Sequence, residues 1–102
     1  MERVSVTDSG VEVHSRSSVE WISLMPWPEI AEISLDVIEL PPHGVRRLSL
    51  EIDLTYGEFV SVGQDAEGFA EAVAEIAARS GRPGPDLSTL DAEATLQLWP
   101  VG

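Results

Sequence analysis

The chain has 102 residues, and its 18 acidic residues against six arginines give a formal net charge of -12 at pH 7. This length predicts one domain, and a hydrophobic fraction of 43% argues against wholesale disorder. The absence of cysteine excludes disulfides, thiol catalysis and cysteine-bound metals. An acidic surface repels phosphate groups, so we expect neither a nucleic-acid nor a membrane partner. With no signal peptide or apolar span evident, we expect a cytoplasmic protein.

Alternating apolar and polar residues predict a β-rich first part of the chain. Such alternation on both sides of the turn sequence 8–10 predicts a first hairpin. In the next apolar run, Val19 and Trp21 fall at odd positions, whereas Ile22 and Leu24 fall at even positions. In a regular strand the two pairs would face opposite sides. We therefore expect that third strand to bulge or curl there.

A tryptophan between two prolines, Trp27, separates this run from the next strand. Neither proline can donate a hydrogen bond to a sheet, and Pro28 is suited to open one short helical turn. Residues 31–40 then alternate and predict a strand. A helix is the alternative there, because Glu29 and Ile33 also fit a helical spacing with Ile30.

The clearest strand covers residues 46–54, where four apolar residues share one face and the polar residues between them share the other. The turn sequence 55–58 follows it, and a return strand begins at Phe59. These segments predict a second hairpin.

The apolar period then changes to that of an amphipathic helix over residues 66–80. Its apolar stripe consists of Phe69, Val73 and Ile76. Asp65 is placed to cap the start of this helix, and Gly81 is suited to end it.

We expect residues 1–82 to form a β-rich core with this capping helix. Residues 83–102 are expected to form a Pro/Gly linker and a C-terminal arm or closing strand of the same domain.

The sequence Met25–Ile33 looks like the "PW-x-x-I" crossover between strands of bacterial pleckstrin-homology-like (PH-like) small domains, whose function is uncharacterised. The hairpin 48–62 that runs into the helix 66–80 also resembles them, and the resemblance covers roughly the first 80 residues. It implies an α+β fold, in which a strongly bent antiparallel sheet or partly open β-barrel is capped by one amphipathic C-terminal helix. Lipid-binding members carry a basic loop between their first strands, where this chain has only Arg16, so the resemblance does not imply phosphoinositide binding.

Catalytic and cofactor motifs are sparse. His14 falls in a predicted strand and His43 in a Pro-Gly loop, and both are expected to be solvated. We find no nucleophile elbow, glycine-rich phosphate loop or calcium loop. The sequence therefore predicts a protein that is not an enzyme and that has no cofactor and no metal.

Carboxylates on the strands form the first group of candidate contact residues. Glu51 and Asp53 share a strand face, and Glu32 and Asp36 lie beside them if the two strands pair. A solvated acidic face and a weak divalent-ion site are the two alternatives to a protein contact there.

Side chains on the helix and two tryptophans form the second group. Glu67, Glu71 and Glu75 follow one another at a helical spacing of four, where like charges repel, and Glu71 and Glu75 are candidate protein contacts. Trp27 and Trp99 each neighbour a proline and are candidates for half-exposed aromatic contacts. The alternative for both tryptophans is packing over the end of the barrel.

Together these features favour a small acidic, non-catalytic domain that binds another protein, expected to be basic. A homodimer through a sheet edge stays open. One alternative is an immunity or inhibitor protein that neutralises a basic enzyme. A second is a small-ligand carrier or minor hydrolase that uses the barrel interior, which requires an apolar cavity there.

Overall fold

A computed structural model of the chain describes residues 2–16, 20–41, 44–88 and 95–100. The described elements are β1 (Glu2–Thr7), β2 (Gly10–Arg16), β3 (Glu20–Pro26), a 3-10 turn (Trp27–Glu29), β4 (Ile30–Leu40), β5 (Val45–Leu54), β6 (Phe59–Gly63), α1 (Phe69–Arg79) and β7 (Thr95–Trp99). The α+β class, with antiparallel strands and one amphipathic helix, is confirmed.

The strands form two antiparallel sheets. The smaller sheet has the order β1-β2-β3, and the larger sheet has the order β6-β5-β4-β7. Among the described residues no strand pairing joins the two sheets, so they do not close into a barrel. The strand β4 pairs with β5 on one side and with β7 on the other. The strand β7 follows the helix in the chain and so returns to the larger sheet.

The predicted apolar stripe of the helix is buried, as expected. Phe69, Val73 and Ile76 are 5%, 1% and 0% exposed, and α1 packs against β1 and β7. They join a single core cluster with buried aliphatic residues of both sheets. Full burial of an aliphatic or aromatic side chain stabilises a fold by about 1.5–3 kcal/mol, so this stripe holds the helix in place.

The bulge expected in β3 is wrong. The strand pairs with β2 in a regular register from Glu20 to Pro26. Met25 faces the core, whereas Ile22 and Leu24 are 60% and 47% exposed on the outer face. An apolar residue on an exposed face needs no backbone adjustment, because folded proteins tolerate apolar surface.

The helix begins at Phe69, three residues later than predicted. Asp65 does not cap it, because the Asp65 carboxylate instead accepts a hydrogen bond from Arg47 at 2.9 Å. The helix ends close to its predicted limit, with Arg79 in its last turn and Gly81 in the left-handed conformation at φ +78°.

Main-chain pairing to β1 explains the late helix start. The Val4 N–H donates to the Glu67 carbonyl at 2.9 Å, and the Glu67 N–H donates to the Glu2 carbonyl at 2.8 Å. The next residue, Gly68, has φ +81°, and a Cβ atom there would lie 2.6 Å from the Val4 carbonyl oxygen. Glycine is therefore required at the crossing from β1 into α1. Since Glu67 lies outside α1, the predicted three-glutamate ladder along the helix is also wrong.

Candidate functional site

The strands β4 and β5 have one buried and one outer face. On the buried face, Ile33 and Leu35 lie opposite Ile52 and Leu50. The alternating residues face outward, and four of them are carboxylates. We call Glu32, Asp36, Glu51 and Asp53, together with Phe59 of β6, the acidic sheet face. The pairing of β4 with β5 that this face required is confirmed.

One row of the acidic sheet face crosses three strands. Asp53 of β5 lies opposite Glu32 on one side and opposite Phe59 on the other. The Phe59 side chain is 67% exposed. Like charges directly opposite one another destabilise a sheet, so the Glu32–Asp53 pair opposes folding.

Hydrogen bonds orient two of these carboxylates without neutralising them. Glu51 Oε1 accepts from the Ser49 hydroxyl at 3.1 Å and from the Ser61 hydroxyl at 2.8 Å. Glu32 Oε2 accepts from Gln97 Nε2 at 2.9 Å. Each donor is a neutral group, so the negative charge of the face persists.

The acidic sheet face has no internal counter-charge. Across residues 2–16, 20–41, 44–88 and 95–100, none of its four carboxylates takes part in an ion pair. Arg47, which extends the outer face of β5, is bonded to Asp65 at 2.9 Å. In the same described ranges, no group of three or more His, Cys, Asp or Glu side chains is placed to hold a metal ion.

The two candidate tryptophans contact each other. The ring centroids of Trp27 and Trp99 are 4.6 Å apart with the planes tilted by 36°, and both side chains are partly buried against the core. Trp27 Nε1 donates to the Thr7 carbonyl at 3.1 Å. The two rings therefore pack on each other and against the core.

Arg79 joins this tryptophan pair to the helix and to the first hairpin. Its guanidinium carbon lies 5.7 Å from the centroid of Trp27. It donates to Asp8 Oδ1 at 2.8 Å and to Glu75 Oε1 at 3.0 Å. The hydrogen bond to Asp8 is the main reason that the pKa of Arg79 lies above its ordinary value. Desolvation opposes this rise, and the hydrogen bond to Glu75 adds to it.

The six predicted contact residues therefore occupy three separate places. Glu51 and Asp53 lie on the acidic sheet face, and Trp27 and Trp99 pack together. The exposed Glu71 and Glu75 line a groove between α1 and β1.

Sequence reasoning missed the exposure of Phe59. The signal was present, because Val60 and Val62 have inward parity and thereby place Phe59 and Ser61 on the outer face.

The expectation that His14 is solvated is wrong. Its side chain is 6% exposed, and its Nδ1 atom accepts a hydrogen bond from Arg3 Nη2 at 3.0 Å. His14 lies on the central strand of the smaller sheet, opposite Arg3 and Ile22 of the flanking strands, a position in the sheet that the sequence did not indicate. The second histidine, His43, lies outside the described residues.

Comparison of the chain with protein-family models, with curated proteins and with solved structures found no match. No helix in the described part of the chain is both long and apolar enough to cross a membrane.

Proposed function

We propose that this chain is a non-catalytic protein-binding domain whose acidic sheet face docks on a basic surface of another protein. The observation that carries the proposal is the set of four carboxylates that have no ion pair within the described residues, on the same sheet face as the exposed Phe59, which lies opposite Asp53. Charge of one sign on an uncovered sheet selects a partner of the opposite sign and accelerates the encounter.

Phe59 supplies an aromatic contact, which a purely charged surface lacks. Interface energy concentrates in a few aromatic or arginine side chains near the centre of a contact, with charged groups around them. Phe59 lies directly beside Asp53 and is two-thirds exposed, so a partner arginine reaches the ring face and the carboxylate together.

The electrostatic cost of the face supports a role beyond solubility. Charge on a surface serves solubility equally well when carboxylates are dispersed. Here Glu32 and Asp53 are opposed across a strand pair, which destabilises the sheet. Opposed like charges that destabilise a fold in this way are expected at functional sites.

The alternatives differ in where the ligand lies. An immunity or inhibitor protein uses the same acidic surface, and its basic partner is an enzyme. A small-ligand carrier needs an enclosed interior cavity. The groove of about 390 Å3 between β1 and α1 and the groove of about 220 Å3 lined by residues 82–85 and 96–98 are both open to the surface. The geometry thus favours surface binding.

We also propose that the fold is PH-like in arrangement. The order of antiparallel strands leading into one amphipathic helix supports this relationship. The departure from the pattern is β7, which follows the helix and pairs with β4.

The test compares capture of partners by the wild type and by a sheet-face variant with Glu51→Gln, Asp53→Asn and Phe59→Ser. Proteins retained by the wild type and lost by the variant are purified, and their Kd is measured for both chains. We expect a basic partner whose affinity falls by at least about tenfold, or about 1.4 kcal/mol, in the variant.

A matched control carries the same kinds of change elsewhere: Glu12→Gln, Glu29→Gln and Ile22→Ser. Glu29 and Ile22 are exposed and Glu12 is half-buried, and none of them belongs to the acidic sheet face. The control is expected to bind like the wild type. Equal loss of binding in both variants, or a partner that binds the sheet-face variant normally, contradicts the proposal.

A further inference from the structure

A groove of about 390 Å3 runs between β1 and α1, away from the acidic sheet face. Val4, Val6 and Ala72 form its apolar part, and Glu71 and Glu75 line its helical side. The groove therefore combines apolar surface with two carboxylates one helical turn apart.

The groove also exposes an unpaired strand edge. The bond from the Val4 N–H to Glu67 shows that the main-chain groups of Glu2, Val4 and Val6 point away from β2, because these groups alternate along a strand. Glu67 occupies the edge at Glu2 and Val4 only. In the described residues, nothing pairs with the N–H and C=O of Val6 across this edge.

Two contacts limit the length of the groove. Glu67 and Gly68 cross β1 at Val4, and the ion pair between Arg79 and Asp8 joins helix and hairpin at the other end. The interval from Val4 to Asp8 spans roughly 13 Å of extended chain. This length admits a segment of about three or four residues.

We propose that this groove binds a short, extended, basic segment of another protein, which adds to β1 as a strand through the main chain of Val6. Addition of a strand to a free sheet edge is a recurring mode of peptide recognition, in which main-chain bonds give affinity and side chains give specificity. A lysine or arginine of the segment then faces Glu71.

Charge complementarity selects this occupant. Glu71 is exposed and takes part in no ion pair within the described ranges, whereas Glu75 is shared with Arg79. An acidic segment, or a second copy of this chain with its net charge of -12, is repelled from the same place. The groove and the acidic sheet face use different residues, so either proposal can fail while the other stands.

The probe is a displayed library of random dodecapeptides, selected on the full chain and then synthesised as free peptides. We expect enrichment of sequences with lysine or arginine within an otherwise uncharged extended stretch. On binding, the Val6 amide proton becomes protected from hydrogen exchange. Absence of enrichment, enrichment of neutral or acidic sequences, or an unprotected Val6 amide in the complex overturns the proposal.

Two variants locate the binding, and each has a control. Val6→Pro removes the N–H that faces the groove but no β1–β2 bond, and Val6→Ile retains that N–H. Glu71→Arg reverses the charge on the helix, and Glu58→Arg makes the same change in an exposed turn.

We expect each groove variant to weaken the selected peptide at least about tenfold and each control less than about twofold. If Val6→Pro does not fold, N-methylation of alternate peptide amides makes the same test from the ligand side. Equal affinity of the wild type and the groove variants, or of the plain and all methylated peptides, overturns the proposal. The Glu51, Asp53 and Phe59 variant is expected to bind the peptide normally, which separates this result from the proposed function.

Discussion

Glu32 of β4 and Asp53 of β5 lie directly opposite each other on the outer face of the larger sheet. Gln97 donates a hydrogen bond to Glu32 but brings no positive charge. The pair therefore raises the free energy of the folded chain, and a basic partner that covers it relieves the repulsion. This relationship predicts that the same side chains oppose folding and favour binding.

Asp53→Asn is expected to stabilise the isolated chain, because it removes one charge of the opposed pair. The expected gain in the free energy of unfolding at low salt is about 0.2–1 kcal/mol. Urea denaturation measures it, and the gain is expected to shrink in high salt, where the repulsion is screened. Glu58→Gln, in the exposed turn before β6, is the matched control. A variant less stable than the wild type contradicts the role given to this pair.

Gly68→Ala is expected to destabilise the chain by more than about 1 kcal/mol, because the position has a positive φ and the new Cβ atom meets the Val4 carbonyl oxygen. Gly84→Ala is the control, since a Cβ atom at Gly84 meets no atom within 4 Å and the residue does not have a positive φ. Chemical denaturation of both variants makes the comparison. Equal stability of the two variants contradicts the close crossing of β1 and Gly68.

The strands and the helical stripe were predictable because they depend on local periodicity. The run 46–54 alternates without interruption, and the residues 69, 73 and 76 recur at helical spacing. Both patterns survive in the structure because burial of one face decides them.

The helix start and the environment of His14 depend on residues distant in the chain. Asp65 has the right character for a cap, but Arg47 is near it in space, and Glu67 pairs with β1 before the helix can begin. His14 lies on the central strand of the smaller sheet and accepts a hydrogen bond from Arg3, eleven residues away in the chain. Single-sequence periodicity contains no information on these contacts.

The candidate site was predictable in part. Parity placed Glu51 and Asp53 on one face, and the pairing of β4 with β5 then brought Glu32 opposite Asp53. The alternation along residues 59–62 already indicated that Phe59 faces outward, and the register of β6 places it opposite Asp53.

Arg79→Met is expected to lower the melting temperature and to alter the near-ultraviolet circular dichroism of the Trp27–Trp99 pair. The guanidinium contacts the Trp27 ring and bonds both Asp8 and Glu75, so its loss frees one side of the tryptophan pair. Arg47→Met removes only the exposed pair with Asp65 and serves as the control. An unchanged tryptophan signal in Arg79→Met contradicts the joining role of Arg79.

Asp86 is expected to titrate below its ordinary pKa of 3.8. The Ser88 hydroxyl and then the Ser88 N–H lower the pKa by donating to Asp86 Oδ1, at 2.6 Å and 3.0 Å. Since the folded-state pKa is depressed, ionised Asp86 stabilises the fold above its ordinary pKa, and this contribution is lost as the pH falls through the lowered value. A carboxyl NMR titration of Ser88→Ala should show the pKa of Asp86 rising towards 3.8, and an unchanged pKa contradicts the assignment.

The proposed docking of the acidic sheet face is tested most directly by the association rate constant of the captured partner, measured by stopped flow at increasing salt. For the wild type we predict a fall of roughly tenfold or more between about 50 mM and about 500 mM NaCl, because screening removes the attraction between opposite charges. The variant with Glu51→Gln and Asp53→Asn is predicted to associate more slowly at low salt and to depend less on salt. An association rate that is indifferent to salt, or the same salt dependence in both chains, contradicts the account.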